Sequence, residues 1–352
     1  MKKRTKKEDG SILEPQFKDE DAAREWLEKK RWPDGAVCPH CGLIGEAWRI
    51  TVKEKTPEQI EELEKAAKKA GKKYRVRKPR KGLWQCRGCR KQFTVTVKTI
   101  FEDSHIPLHK WLLAFHLINA SKKGMSAHQL MRMLDLKEYK SAWFMAHRIR
   151  YCLTGELPEK MSGIIEADET YIGGSVKNKS KQQRHVMRVQ PGKRMQDYPA
   201  VLGDKAAVFS VVQRGGRVHS RHVEKVTADN LKAVLDDVCQ MDAHLITDTG
   251  MLRNRTTGRR KHSLVNHRAD EYVRFEEGVM VTTNTVEGFF SLLKRGINGI
   301  YHHVGRKHLH RYLAEFDFRY NHREISDGER ANEALKGIEG RRLTYKGANA
   351  QN

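Results

Sequence analysis

The 352-residue sequence has no apolar run long enough to cross a bilayer. Its basic opening, MKKRTKKEDG, is followed by no apolar h-region, so no secretory signal is expected. These absences argue against a membrane channel or transporter and point to a cytoplasmic protein. Acid is scarce beside base: 44 Asp plus Glu face 68 Lys plus Arg, a formal net charge of +24. A polyanionic partner is expected, nucleic acid first, rather than merely a solvated basic surface, because the basic residues recur from end to end. Cysteine is scarce too. Of six, Cys38/Cys41 and Cys86/Cys89 form two CxxC pairs, while Cys152 and Cys239 stand alone. In a cytosolic chain this pattern excludes a disulfide frame and reads as metal ligation, with the two single cysteines expected as buried, inert thiols.

The length allows two or three domains. Residues 1–30 read as a basic arm and a short helix over DEDAAREWLEKK. Residues 31–101 hold the two knuckles, CPHC and CRGC, each beside a short strand (AWRITV, KGLWQC, QFTVTV). Two such knuckles describe a zinc ribbon in which Cys38, Cys41, Cys86 and Cys89 bind Zn2+. They are separated by an insertion at 53–81, a helix with Thr56 as cap, Pro57 at its start and Gly71 at its end, then the basic KKYRVRKPRK. Residues 102–157 predict three helices with a basic last one. This helix-turn-helix-like segment offers Lys140, Arg148 and Arg150 to DNA. Generic three-helix packing is the competing reading, and the net charge and the ribbon favour DNA.

From Gly163 the texture becomes strand-like. GIIEADETYIGG is one strand, KAAVFSVVQRGGRVHSRHVEKV a hairpin turning at Gly215-Gly216, TADNLKAVLDDVC a helix and HLITD a buried strand. This β-β-β-α-β-α order is that of the ribonuclease H-like fold, so 158–325 is expected to be an α/β catalytic domain of that kind, followed by a polar C-terminal tail at 326–352 that ends in the loose ANAQN. On the first strand Glu166 and Asp168 share a face, and Glu169 points away. Asp248 ends HLITD. Glu287 lies in a helix whose Val286, Phe289, Phe290, Leu293 and Ile297 form one apolar stripe, and Lys294 is two turns further along its polar side.

Asp168, Asp248 and Glu287 are therefore candidate catalytic carboxylates and ligands for Mg2+ (or Mn2+). Phosphodiester chemistry needs an activated oxygen, a stabilised leaving oxyanion and neutralised phosphate charge. Two hard cations about 3.5–4 Å apart supply all three. Any one acid alone is most often a surface charge. Asn284, three residues before Glu287, reads first as that helix's cap and second as a rival third ligand. Glu166 and Glu169 are candidate supports. Lys294, Arg295, His302, His303, Arg306 and Lys307, with Tyr301, His308 and Arg311, form a basic-aromatic cluster read as a DNA-contacting surface. His262 and His267 are not needed by the metal scheme, and Leu313, Phe316, Phe318 and Tyr320 read as core.

EADETYIGG, AVFSVVQRGGRV, ITD, VNHRADEYVR and TNTVEGFFSLLKRGINGIYHHVGRKHLHRYLAEFDFRYNHR, in that order, resemble the catalytic domain of bacterial insertion-sequence DDE transposases. The likeness is greatest to the ISXO2-like subgroup, which carries an N-terminal zinc ribbon. It implies an acidic triad at Asp168, Asp248 and Glu287, with Asn in the third place in some members. It also implies DNA cleavage and 3′-hydroxyl strand transfer, and double-stranded DNA partners (terminal inverted repeats and target). A homodimer or higher oligomer and a bacterial, nucleoid-associated location would follow. The long insertion between the knuckles and Thr249-Gly250 after Asp248 depart from the family pattern. The alternatives are a structure-selective nuclease of the same fold and a non-enzymatic zinc-ribbon regulator.

Overall fold

The computed structural model describes residues 11–51, 56–71, 81–155, 159–174, 205–248, 257–258, 260–345 and 347. The N-terminal basic arm, most of KKYRVRKPRK, the linker around Pro158, the basic loop at 175–204, Thr249-Gly250 and the terminal ANAQN lie outside them. The chain divides into two compact units, Ile12–Leu113 with Glu339–Arg342, and chiefly Ala114–Ile338.

In the first unit, α1 (Glu20–Arg31) starts at Asp19, whose carboxylate accepts the Ala22 N–H at 2.8 Å. Glu20 and Asp21 in its first turn and Lys29, Lys30 and Arg31 in its last oppose the helix dipole. Strand β1 (Ala47–Arg49) pairs antiparallel with β2 (Trp84–Cys86), which pairs with β3 (Gln92–Phe93). Between β1 and β2 the insertion forms α2 (Pro57–Lys69), opened by a Thr56/Gln59 capping box. None of the residues of α2 is buried, so it is a solvated helix. Trp32 packs edge-on against Trp84 and Phe93, at 6.1 and 5.7 Å between ring centres, as the small apolar centre behind the knuckles.

Helices α3 (Leu108–Ala120), α4 (Ala127–Met133) and α5 (Tyr139–Leu153) follow. Next come strands β4 (Ile164–Ile172), β5 (Ala206–Gln213) and β6 (Val218–Val223), then α6 (Ala228–Val238). After these are β7 (His244–Asp248), β8 (His262–Val265) and a small hairpin of β9 (Arg274–Glu276) and β10 (Val279–Val281). The described chain closes with α7 (Asn284–Gly296), α8 (Arg306–Asn321) and α9 (Asp327–Leu335). The main sheet has the order β6-β5-β4-β7-β8. The first three strands form an antiparallel meander, and β4, β7 and β8 run parallel.

Period-two alternation sorts the sheet's residues. Ile165, Ala167, Ala207, Phe209 and Val211 pack with Leu231, Val234, Leu235 and Val238 of α6. Ile172, Ala206, Val208 and Val212 face the other way and meet Val286, Phe289, Phe290 and Leu293 of α7 and Leu309, Leu313 and Phe316 of α8. Glu166 and Asp168 belong to this second face by parity, so they lie on the α7 side.

Helices α4 and α5 group with the sheet in one unit. The 326–352 tail begins with an ordered helix. Ser326 and Glu329 form a capping box, and Ala331, Ala334 and Ile338 are buried. Arg148 and Arg150 do not face DNA, because both are buried. Arg150 donates to Glu315 on α8 and lies 4.0 Å over the Tyr312 ring. Glu315 also receives Arg319 and the Tyr301 hydroxyl, the latter at 2.7 Å. This internal ion network holds α5 to α8 and turns Tyr301 inward. Gly124 makes room for it: its φ is +98°, and a Cβ there would lie 1.9 Å from the Tyr301 hydroxyl.

Candidate active site and zinc centre

Strand β4 pairs in parallel with β7 through Ala167 and Thr247. Asp168 and Asp248 are each the next residue, so they sit side by side on adjacent strands, about 4.8 Å between strand axes. Asp168 is partly buried, and burial pushes its carboxyl up to about 7, helped by the charges of Glu169, Asp248 and Glu287. Glu169 is also raised, by burial and then by Asp248. Asp168 thus feels Asp248 and Glu287, both far from it in the chain, as like charges. They form a looser group than the thiolates described below. Among the described residues, only the thiolates have all their ligand atoms within 4.8 Å.

Glu287 is brought there by Glu166, two residues before Asp168. Glu166 is fully buried. Its Oε2 accepts the backbone N–H of Thr285 at 2.7 Å and of Val286 at 3.1 Å, and its Oε1 accepts the Thr285 hydroxyl at 2.8 Å. Those are orphan donors at the start of α7, so a strand carboxylate caps a helix 119–120 residues away in sequence. Arg214, at the β5–β6 turn, completes the arrangement. Its Nε and Nη2 donate to Glu166 at 3.0 and 2.8 Å, and its Nη1 and Nη2 reach the carbonyls of Met280 and Thr282. One buried ion pair thereby fixes the chain entering α7 against the strand that carries Asp168.

This arrangement decides the cap reading of Asn284. The cap position is Thr283, not Asn284, and Thr283 makes no side-chain cap bond because Glu166 fills that role. Asn284 is the exposed first helical residue. The Thr283 hydroxyl instead donates to Glu287 at 2.8 Å, and His267 Nε2 lies 3.2 Å from the same carboxylate and 3.0 Å from the Thr283 hydroxyl. Glu166, Arg214 and His267 are therefore supports of the acidic group. Sequence reading raised Glu166 only as a flanking acid, passed over His267 and missed Arg214. His262 points elsewhere, to the Thr247 hydroxyl at 2.8 Å.

Lys294, Arg295, His302, His303, Arg306, Lys307 and Lys140 are exposed. His308 and Arg311, read with them, are buried. Leu313 and Phe316 are core as expected, and Tyr320 packs against the same cluster. Cys152 and Cys239 are buried, and burial pushes the Cys239 thiol up to about 12, as an inert thiol requires.

In the other unit Cys38, Cys41, Cys86 and Cys89 converge. The Cys38–Cys89 and Cys41–Cys86 sulphurs are each 3.6 Å apart, and all four lie within 4.8 Å. A tetrahedron with Zn–S bonds of about 2.3 Å has edges of about 3.8 Å, so the donor set and spacing fit Zn2+. The Cys89 backbone N–H, above all, and that of Gly88 hold the Cys86 thiol down to about 7, toward the thiolate a metal needs.

Comparison with known proteins finds a match in each of the two units. Residues 160–321 match the ISXO2-like transposase domain and residues 18–57 the transposase zinc-ribbon domain. The ribbon match ends within the first residues of the insertion and so contains only the first knuckle; the fold supplies the second. A Halobacterium salinarum protein described as an uncharacterized protein in transposable element ISH50 is 26% identical over 327 residues, 92% of this chain and 96% of that one. A chain of the simian T-cell lymphotropic virus intasome in complex with PP2A regulatory subunit B56 gamma shares 14% identity over 59% of this chain and 65% of that chain. Its TM-score of 0.27 is too low to bear on the fold. With a transposase domain over the sheet, a transposase ribbon before it and a full-length relative from a mobile element, the chain belongs to the ISXO2-like DDE transposases with an N-terminal zinc ribbon.

Proposed function

We propose that this chain cuts DNA at the ends of an insertion sequence and transfers the freed 3′-hydroxyl to target DNA, using Asp168, Asp248 and Glu287 on a ribonuclease H-like fold. The observation that carries the reading is the convergence of three acids from two adjacent parallel strands and a helix start pinned to the first of them. The sheet order, a three-strand antiparallel meander with two parallel strands beside it, supports the fold assignment.

Three carboxylates drawn toward one place, with Asp168 pushed toward its neutral form by burial and by the other acids, fit divalent cations: all donors are hard oxygens. Mg2+ or Mn2+ bound there would activate the attacking oxygen and stabilise the leaving one. The chain's own residues do the rest. Asp168 and Asp248 present their oxygens from rigid strands, and Glu166 with Arg214 fixes the helix that carries Glu287. Lys294, two turns on, meets DNA phosphate with Arg295, His302, His303, Arg306 and Lys307. Cleavage of two ends and their joining to one target calls for two copies of the chain on double-stranded DNA.

The test is incubation of the purified full chain with labelled element ends and a target plasmid in Mg2+ or Mn2+. End cleavage and joined product are expected from wild type, and neither from Asp168→Asn. Nicks without joined product would make the protein a nuclease. Normal function of Asp168→Ala would leave a zinc-bearing DNA-binding regulator.

A further inference from the structure

Several basic side chains of the sheet-bearing unit are paired: Arg214 with Glu166, Arg221 with Asp237, Lys232 and Arg260 with Asp236, Lys261 with Glu277. Four others gather around one groove. A groove of about 800 Å3 opens where β5 begins, β6 ends and α8 starts, and Lys205, Lys225, Arg306 and Lys307 all line it. Lys205, Lys225 and Arg306 have no acidic partner among the described residues, and the acid lining the groove is Glu224. The helix that supplies Arg306 and Lys307 starts at Gly305 without a side-chain cap and with no acid in its first turn. Cations there add to the positive end of the dipole, the reverse of what a helix favours by itself. His222, which also lines the groove, is shifted away from its charged form by burial and then by Arg306.

We propose that this groove binds the phosphodiester backbone of DNA beyond the cleavage site. The inference rests on the transposase reading and adds Lys205 and Lys225 to the DNA-binding residues. Tyr171, three residues beyond Asp168 on the same strand but on its opposite, α6-facing side, forms one wall. Three strand residues span about 10 Å, which is about three nucleotide rises along one DNA strand at 3.4 Å each. The groove therefore opens at the end of the strand, and a backbone that leaves Asp168 and passes around that end meets Lys205, Lys225 and Arg306 within a few nucleotides. Such a contact carries register, not sequence.

The experiment measures duplex DNA binding by the full-length, zinc-loaded chain across a salt series without Mg2+. Wild type is compared with Lys205→Ala/Lys225→Ala and with a control of equal charge loss at paired lysines, Lys232→Ala/Lys336→Ala. Two lost phosphate contacts should flatten the slope of log affinity against log salt by about 1.8, at 0.9 per contact. The control should leave the slope within error, and both variants should melt as wild type does. An unchanged slope in the groove variant, or equal flattening in the control, overturns the proposal. So does a groove that loses inorganic-phosphate binding while DNA binding is unaltered, which would mark a small-anion site. Because no cleavage is read, failure of the catalytic assignment leaves this measurement intact.

Discussion

Replacing Glu166 by Gln removes one charge and no volume. The buried carboxylate accepts from Arg214 Nε and Nη2, the Thr285 hydroxyl and the N–H groups of Thr285 and Val286. An amide keeps one acceptor oxygen and turns an NH2 toward the remaining donors. It also leaves the Arg214 guanidinium without its counter-charge. Removing one partner of a buried pair costs about 3–5 kcal/mol. Arg214 keeps 22% of its side chain exposed, so water recovers part of this, and the lower end, about 3 kcal/mol, is expected. For a unit of this size that lowers the melting temperature by about 6–12 °C. The functional effect should be separate and larger. The start of α7 loses its anchor to β4, and a displacement of about 1 Å at Glu287 costs about a hundredfold in rate. End cleavage per folded molecule, measured 15 °C below the variant's melting point, reads this directly. Adding Arg214→Met to Glu166→Gln should cost less than the sum of the two single changes, since the lone guanidinium is then gone. A Glu166→Gln protein that melts within a degree of wild type, or cleaves at full rate once folded, would refute the anchoring argument.

Asp168→Asn should abolish metal-dependent cleavage while duplex binding stays within twofold, and it should raise the melting temperature of the metal-free protein by relieving repulsion from Glu169, Asp248 and Glu287; scanning calorimetry and a cleavage gel test both parts. Cys86→Ser should lower bound zinc below one per chain by atomic absorption and unfold the Ile12–Leu113 unit, while the helical signal of Ala114–Ile338 persists. Burial alone would raise the Glu315 carboxyl, but Arg319, Arg150 and the Tyr301 hydroxyl overcome it and hold it down to about 2. A depressed acid stabilises fully above its unfolded value, about 4.3. Stability should therefore fall as pH drops from about 4.5 toward 2, and Glu315→Gln should flatten that limb of a melting series.

What the sequence disclosed was whatever local pattern encodes. AAVFSVV is a near-continuous apolar run before the Gly215-Gly216 turn, and both faces of that strand are buried against different helices. The α7 stripe is apolar at helical spacing and is buried along its length. Two CxxC knuckles state their chemistry even with α2 between them. The misreadings share one cause, a partner distant in the chain. Arg150 looks like part of a DNA-facing surface until Glu315, 165 residues later, takes its charge inside. Glu166 looks like a spare acid until α7 arrives with its N–H groups. The helix at Asp327–Leu335 differs: the S-x-x-E signature at Ser326 and Glu329, followed by Ala331 and Ala334, was there to be read.

Two carboxylates two residues apart on one strand face thus have opposite roles, and their surroundings say which is which. Glu166 receives two backbone N–H groups, a hydroxyl and a guanidinium, so its charge is fully answered inside the fold. Asp168 accepts the Glu169 N–H at 2.8 Å and otherwise faces acids. A buried charge with every partner supplied is structural, because any further cation would have to displace protein. A buried charge set among like charges is answered from outside the fold, and under the reading proposed above its hard oxygen fits a divalent cation. The fold pairs the two on one strand so that the satisfied acid holds the helix that delivers Glu287.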